Sequence, residues 1–152
     1  MTPRLNPFAA VPALAKEFID FSQHVQAAGL ETTLMELVKI RASQLNACAF
    51  CLHMHTTEAR KQGETEERLY LLNAWRESPL YTGRERAALA WTESLTLLPQ
   101  THAPDDVYAG LRPHFTDQEI VILTTLIVVI NGWNRLQVGF RAVHPVTERK
   151  AA

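Results

Sequence analysis

Cysteine is scarce in this chain of 152 residues, which contains only Cys48 and Cys51, separated by two residues. A disulfide that closes so short a loop constrains little of the unfolded chain and would add little stability. A reducing cytoplasm would also oppose a permanent bridge. The pair is therefore better explained by chemistry than by stability.

Runs of one charge and long hydrophobic runs are also missing. The net charge is −1 with both signs interspersed, so no nucleic-acid-binding face is expected. The longest apolar run, residues 120–130, contains Thr124 and Thr125 and is shorter than the roughly 20 residues that cross a bilayer. The first residues lack the apolar segment of a secretory signal. We expect a soluble cytoplasmic protein with no nucleic-acid or membrane partner.

Strand signals are absent, and apolar residues recur with helical spacing instead. With 47% apolar residues, the chain has enough material for a folded core. The sequence predicts one all-α domain over residues 1–152. The expected helices cover residues 12–28, 31–45, 47–62, 66–75, 82–97, 104–112 and 116–143.

The last of these helices is apolar on nearly every side between residues 120 and 130. A helix without a polar face must be buried all round. Two interpretations remain open, a subunit interface along part of the helix or a central core helix within one subunit. Four residues near its end are interpreted as packing or helix-end contacts: Asn131, Trp133, Asn134 and Arg135.

The cysteine pair lies at the start of the third predicted helix, where Asn46 offers a turn and an N-cap. Unsatisfied N–H groups and the helix dipole at such a position favour a thiolate. At about 100° per residue, His55 falls on the face of the cysteines, whereas His53 points elsewhere. The pattern predicts a redox-active dithiol beside a histidine that can exchange protons.

A carboxylate partner for this histidine is expected from the preceding helix. If the second and third helices form a hairpin around Asn46, Glu36 lies ten residues before the turn and His55 nine after it. Both would then stand roughly 14 Å from the turn at 1.5 Å per residue. Glu36 and His55 are therefore predicted to form a proton relay. Lys39 and Arg41 are interpreted as solvated or interface charges.

Other interpretations of the same residues stay open. Helices carry cysteines as small core residues, and a single histidine or glutamate has structural uses. Zinc could be held by Cys48, Cys51 and His55, with His53 or Glu36 as a further ligand. Zinc sites usually join two such clusters, and the sequence has no second one.

Residues 36–55, Glu-Leu-Val-Lys-Ile-Arg-Ala-Ser-Gln-Leu-Asn-Ala-Cys-Ala-Phe-Cys-Leu-His-Met-His, closely resemble the core motif of the alkylhydroperoxidase D-like (AhpD-like) proteins. These belong to the carboxymuconolactone decarboxylase superfamily. The similarity extends through residues 56–63. It returns at residues 131–136, Asn-Gly-Trp-Asn-Arg-Leu, which are similar to the end of the family's last conserved helix.

The resemblance implies an all-helical bundle that assembles into trimers or hexamers, and a thiol-dependent peroxidase that needs no metal or organic cofactor. By this resemblance, Cys51 becomes a sulfenic acid, while Cys48 donates a proton and then closes the disulfide. His55 and Glu36 correspond to the proton relay. An external dithiol or thiol would reduce the disulfide. The best-studied branch has a second histidine where this chain has Phe50.

Three rival functions use the same sequence. A dithiol–disulfide oxidoreductase or carrier would need the same residues without substantial peroxidase activity. A lyase of the decarboxylase type is disfavoured, because members of that branch lack the cysteine pair that this chain keeps. A non-redox structural or metal-binding module is the third.

Overall fold

The computed structural model describes residues 2–146, and all regular secondary structure in that range is helical. This confirms the predicted all-α fold. A short 3₁₀ turn, Leu72–Ala74, follows the fifth helix. The α-helices are α1 (Pro7–Ala10), α2 (Pro12–Gln26), α3 (Thr32–Leu45), α4 (Ala49–Lys61), α5 (Glu66–Leu71), α6 (Gly83–Thr96), α7 (Leu98–Thr101), α8 (Asp105–Ala109) and α9 (Asp117–Gly139).

The predicted starts of the two helices α6 and α9 are confirmed by their caps. At Thr82 and at Thr116, the hydroxyl accepts the N–H of a glutamate three residues later, and that glutamate's carboxylate accepts the threonine N–H. Each capping box thus satisfies two N–H groups that a helix start leaves unpaired. The end of α9 is four residues earlier than predicted, because the chain turns at Arg141 with φ 55°.

Helix α3 is the centre of the bundle and packs against α4, α6 and α9. Its side chains contribute to two apolar clusters, one shared with α6 and α9 and the other with α4, α6 and the 3₁₀ turn. Because α3 is surrounded, even its polar positions are buried: Glu36, Lys39 and Ser43 are each at most 5% exposed. Polar groups in such a place need partners within the protein.

Helix α9 packs against α3 and α6 and is only partly buried. Its residues Leu123, Leu126 and Ile127 are at most 1% exposed, whereas Val121 and Val128 are 64% and 61% exposed. The core-helix interpretation thus holds for the buried face of the helix, and a subunit interface along the exposed stripe remains a prediction. By length and composition α9 could cross a membrane, a criterion that core helices of soluble proteins also meet. The uninterrupted apolar run of residues 120–130 thus underestimated the apolar length of this helix.

The turn between α3 and α4 differs from the prediction. Helix α4 starts at Ala49 with Cys48 as its N-cap, and Asn46 instead ends α3. The N–H groups of Ala47 and Cys48 donate to the carbonyls of Gln44 and Ser43, at 3.2 and 3.0 Å. This is a Schellman motif, which requires a left-handed residue after the helix, here Ala47 with φ 52°.

Replacement of Ala47 by glycine is expected to raise the free energy of unfolding by about 1 kcal/mol. A left-handed conformation costs an L-residue roughly 1–2 kcal/mol, and the greater entropy of an unfolded glycine offsets part of the gain. Urea denaturation of both proteins measures the difference. A lower stability of the glycine variant would show that Ala47 does not carry this strain.

Candidate redox site

The α3–α4 hairpin brings the four predicted site residues together. Cys48 and Cys51 are each 1% exposed, Glu36 is 3% exposed and His55 is 8% exposed. Both cysteines are free thiols. Cys48 is the N-cap of α4, Cys51 lies in its first turn, and His55 follows one turn later. Glu36 faces His55 from α3, at the height that the hairpin argument predicted.

Glu36 and His55 are in direct contact, with 2.9 Å between the carboxylate Oε2 and the imidazole Nδ1. Burial alone would raise the pKa of the Glu36 carboxyl, but the His55 hydrogen bond and the nearby Lys39 charge outweigh it and hold that pKa below its usual value. An ionised carboxylate only accepts hydrogen bonds, so His55 must carry its proton on Nδ1. In neutral His55 the other ring nitrogen, Nε2, is then free to take a proton.

The interpretation of Lys39 and Arg41 as solvated or interface charges is wrong. The Lys39 ammonium lies 2.5 Å from Glu36 Oε1, and its side chain is 6% exposed. Arg41 pairs with Glu93 at 2.7 Å and is 12% exposed. Both residues belong to a helix that is surrounded by other elements, so their charges are neutralised by internal partners rather than by water.

The two thiols share one set of hydrogen bonds at the start of α4. The Cys51 N–H, one of the donors that a helix start leaves unpaired, points at the Cys48 sulfur from 3.4 Å. A hydrogen bond from the Cys51 thiol, together with the N–H groups of Phe50 and Cys51, lowers the pKa of Cys48 to about 7 despite burial. The pKa of the Cys51 thiol is raised, first by the same hydrogen bond and then by burial. Near neutral pH the pair therefore holds one proton between two sulfurs.

Asn134 is a residue of this site whose role the sequence did not reveal. It lies on α9, is 1% exposed, donates from Nδ2 to Ser43 Oγ at 3.0 Å, and accepts from Asn46 Nδ2 at 2.9 Å. Its side chain also lowers the pKa of both cysteines through hydrogen bonding. The packing role expected for Asn134 is thus correct but incomplete. Its signal in the sequence was weak, an amide that follows the apolar run of residues 120–130 by one helical turn.

A cavity of about 500 Å³ opens beside the pair. Cys51, His55 and Glu36 line it, whereas Cys48 is not among the lining residues. Its wall is largely apolar and is supplied by Phe8, Phe50, Met54, Leu126, Val129 and Trp133. Cys51 is therefore the sulfur that a small molecule in this cavity would meet.

Within residues 2–146, no group of three or more histidine, cysteine or acidic side chains is arranged to hold a metal ion. His53, one candidate for an additional zinc ligand, turns away from the cysteines and stacks on His144 with 4.8 Å between the ring centroids. The zinc interpretation therefore has no support in the described part of the chain.

The first thiolate of the reduced protein should form with a midpoint near pH 7, because the pKa of Cys48 is lowered to about 7. A free cysteine titrates at about pH 8.5. Thiolate absorbance followed across a pH series tests this expectation without a reagent that must reach the buried sulfur. In the control Cys48→Ser the shared proton is lost, and burial raises the pKa of the remaining Cys51 thiol, so the midpoint should move upward. A midpoint near 8.5 in both proteins would contradict the shared-proton description.

Comparison with known proteins places the chain among its relatives. The model of the carboxymuconolactone decarboxylase family matches residues 12–94, more than half of the chain. The chain belongs to this family. The match to the family model thus confirms the resemblance found in the cysteine motif. An uncharacterised family relative, YdfG from Bacillus subtilis, is 41% identical over 139 residues, which are 91% of this chain and 95% of YdfG.

Solved structures agree with the family assignment. A protein of unknown function from Agrobacterium tumefaciens, for which an AhpD antioxidant defence role has been suggested, is 46% identical with a TM-score of 0.94. The match covers 96% of this chain and all of that one. The debrominase Bmp8 superimposes with a TM-score of 0.82 at 18% identity, over 91% of this chain and 75% of its own. The likeness to Bmp8 shows only that the two chains share a fold. Because Bmp8 is a debrominase, proteins with this fold do not all share one activity.

Proposed function

We propose that the protein is a thiol-dependent peroxidase that reduces peroxides through a Cys48/Cys51 dithiol–disulfide cycle. The observation that carries this proposal is the position of Cys51, which faces the cavity beside the Glu36–His55 pair and has a second thiol hydrogen-bonded behind it. The family membership and the antioxidant role suggested for the Agrobacterium protein support it.

The first step is attack on the peroxide. The Cys51 proton passes to His55 Nε2, or to the Cys48 thiolate, and the Cys51 thiolate attacks the terminal peroxide oxygen. The O–O bond breaks as the S–O bond forms, giving a Cys51 sulfenic acid and an alkoxide or hydroxide. The leaving oxygen takes that proton back, from His55 or from the Cys48 thiol, and departs as an alcohol or water, so that Cys48 is again a thiolate. Glu36 orients the imidazole throughout through its hydrogen bond to Nδ1.

The second step closes the cycle. The Cys48 thiolate attacks the sulfenic sulfur, an S–S bond forms, and the hydroxyl leaves as water after taking a proton. An external dithiol then reduces the disulfide by exchange and is itself oxidised to a disulfide. Phe50 lies at the cavity where the best-studied branch has a histidine, and its phenyl ring has no group that can accept or donate a proton. The relay of this chain thus reduces to Glu36, His55 and the two thiols.

A dithiol–disulfide oxidoreductase is the second candidate, and one observation favours it. The lowered pKa belongs to Cys48, the cysteine nearer the amino terminus, as in Cys-x-x-Cys centres that exchange disulfides. Cys48 is buried, so a partner disulfide would need the turn to open. This burial favours the peroxidase, in which the small substrate reaches Cys51 through the cavity.

Steady-state assays separate the two functions. Consumption of hydrogen peroxide and of an organic hydroperoxide is measured with dithiothreitol as the reductant, beside reduction of a model disulfide by the same protein. The proposal expects peroxide turnover that saturates with peroxide and exceeds disulfide turnover. Disulfide turnover without peroxide consumption would favour the second candidate.

We further propose that the protein works in the cytoplasm as a homo-oligomer, a trimer or hexamer. Support comes from apolar side chains that are more than 60% exposed on the described surface, among them Leu14, Val121 and Val128. Val121 and Val128 lie two turns apart on one face of α9, and a contiguous exposed apolar face favours a covered surface. Light scattering of the purified protein measures the mass, and a monomer at micromolar concentration would contradict the proposal.

A further inference from the structure

Lys39 is a charged group inside the redox site that the peroxide cycle described above does not use. It lies one turn after Glu36 on α3, and its residue is 5% exposed. Its ammonium is 2.5 Å from Glu36 Oε1 and 3.1 Å from Gln26 Oε1. An unpaired ammonium in this environment would cost several kcal/mol, so its two acceptors are part of a built arrangement.

We propose that Lys39 is a positioning residue of the redox site, which keeps the Glu36 carboxyl ionised and turns its second oxygen toward His55. The inference rests on the proposed redox function, and it adds Lys39 to the Glu36–His55 pair. The hydrogen bonds of the Lys39 ammonium go to Glu36 and Gln26 and not to a sulfur, so Lys39 acts on the thiols through Glu36.

The geometry fixes the carboxylate at both ends. Glu36 Oε1 accepts from Lys39, and Glu36 Oε2 accepts from His55 Nδ1 at 2.9 Å. A carboxylate held by one oxygen can rotate about its last bond, whereas one held by both oxygens cannot. Gln26 extends the chain to α2, where its own Nε2 donates to the Ser22 carbonyl at 3.3 Å. The orientation of His55 thus depends on a chain of contacts that starts at α2.

The charged groups around Glu36 lead to the same conclusion. The titratable or charged groups that line the cavity are Glu36, Lys39, Cys51, His55 and Glu58. Helix α2 contributes the neutral Gln26 and Ser22 there, and α9 contributes only uncharged side chains. Lys39 is therefore the one permanent cation that faces the Glu36 carboxylate within the cavity lining. Without it, a carboxylate that is 3% exposed would hold its proton to a higher pH.

Two consequences for the relay follow. A protonated Glu36 could donate a hydrogen bond to His55, and the imidazole would then carry its proton on the wrong nitrogen to serve Cys51. The site would lose its base while keeping both thiols. We therefore expect Lys39 to set the acid limit of activity.

The test replaces Lys39 by methionine, by glutamine and by arginine. The titration midpoint of the Glu36 side-chain carboxyl is followed by carbon NMR, with Glu36→Gln used to assign the signal. In Lys39→Met and Lys39→Gln the midpoint should rise by about one pH unit or more, and the acid limb of peroxide turnover should rise with it. Lys39→Arg keeps the charge and should restore most of both.

Arg41→Met is the matched control, because Arg41 is a partly buried cation on the same helix whose partner is Glu93 instead of Glu36. It should leave the Glu36 midpoint unchanged. The proposal is overturned if neither Lys39→Met nor Lys39→Gln moves that midpoint, or if Arg41→Met moves it equally. The NMR measurement needs no peroxide turnover, so failure of the peroxidase proposal and failure of this one are distinguishable.

Discussion

Replacement of Cys51 by serine is expected to reduce peroxide turnover to the uncatalysed background. The serine hydroxyl is not ionised at neutral pH and cannot replace a thiolate as the nucleophile. Cys51 lines the cavity and Cys48 does not, so the remaining thiol has no access to a peroxide bound there. Peroxide consumption under dithiothreitol measures the loss.

Cys48→Ser is the matched control for this variant. Cys51 can still attack once, but no neighbouring thiol condenses with the product. We expect one equivalent of peroxide to be consumed and a sulfenic acid at Cys51 that a dimedone probe traps. A trapped sulfenic acid at Cys48 in the Cys51→Ser variant would show that the roles of the two sulfurs are reversed.

Replacement of Glu36 by glutamine is expected to lower the free energy of unfolding by about 3–5 kcal/mol, since it leaves the buried Lys39 ammonium without its anion. Glutamine keeps the shape of the side chain, so lost charge rather than lost packing accounts for the change. Urea denaturation at neutral pH measures it. The double variant Glu36→Gln/Lys39→Met removes both charges and should recover most of the stability, because a buried pair is often replaceable by neutral groups.

Peroxide turnover of the double variant should differ from its stability. The double variant should remain inactive, because stability returns without the carboxylate that fixes the His55 proton. Full activity in the double variant would show that the Glu36 charge serves stability alone.

The acid side of the stability curve tests the same carboxylate. The pKa of Glu36 is lowered in the folded protein, so its contribution is present above about pH 4.5 and is lost as the pH falls through the folded value. The Glu36→Gln variant lacks this titration, so its stability should fall less steeply with acid than that of wild type. Parallel acid limbs in the two proteins would contradict the assignment.

The sequence was most informative where local helical geometry decides the outcome. The angle between residues placed His55 on the face of the cysteines, and the rise per residue placed Glu36 level with it, as the 2.9 Å contact confirms. Both inferences use short separations along two helices joined by a tight turn, so small errors in the helix limits did not change them.

The remaining features depend on contacts that no local pattern reports. Lys39 is buried because α3 is surrounded by three helices, whereas lysine is usually exposed. The start of α4 was misplaced because Ala47 takes a left-handed conformation that alanine seldom adopts. Asn134 meets Ser43 across 91 residues of chain, a contact that only the packing of α9 creates.

The central claim is that peroxide converts the two free thiols into one disulfide. The direct measurement treats the fully reduced protein with one equivalent of peroxide, and follows both the peroxide and the cysteines by free-thiol titration and mass spectrometry. The account predicts that each peroxide consumed yields one Cys48–Cys51 disulfide within a single chain, which dithiothreitol reverses. Unchanged peroxide with two free thiols, or a Cys51 sulfinic acid formed without any disulfide, would contradict it.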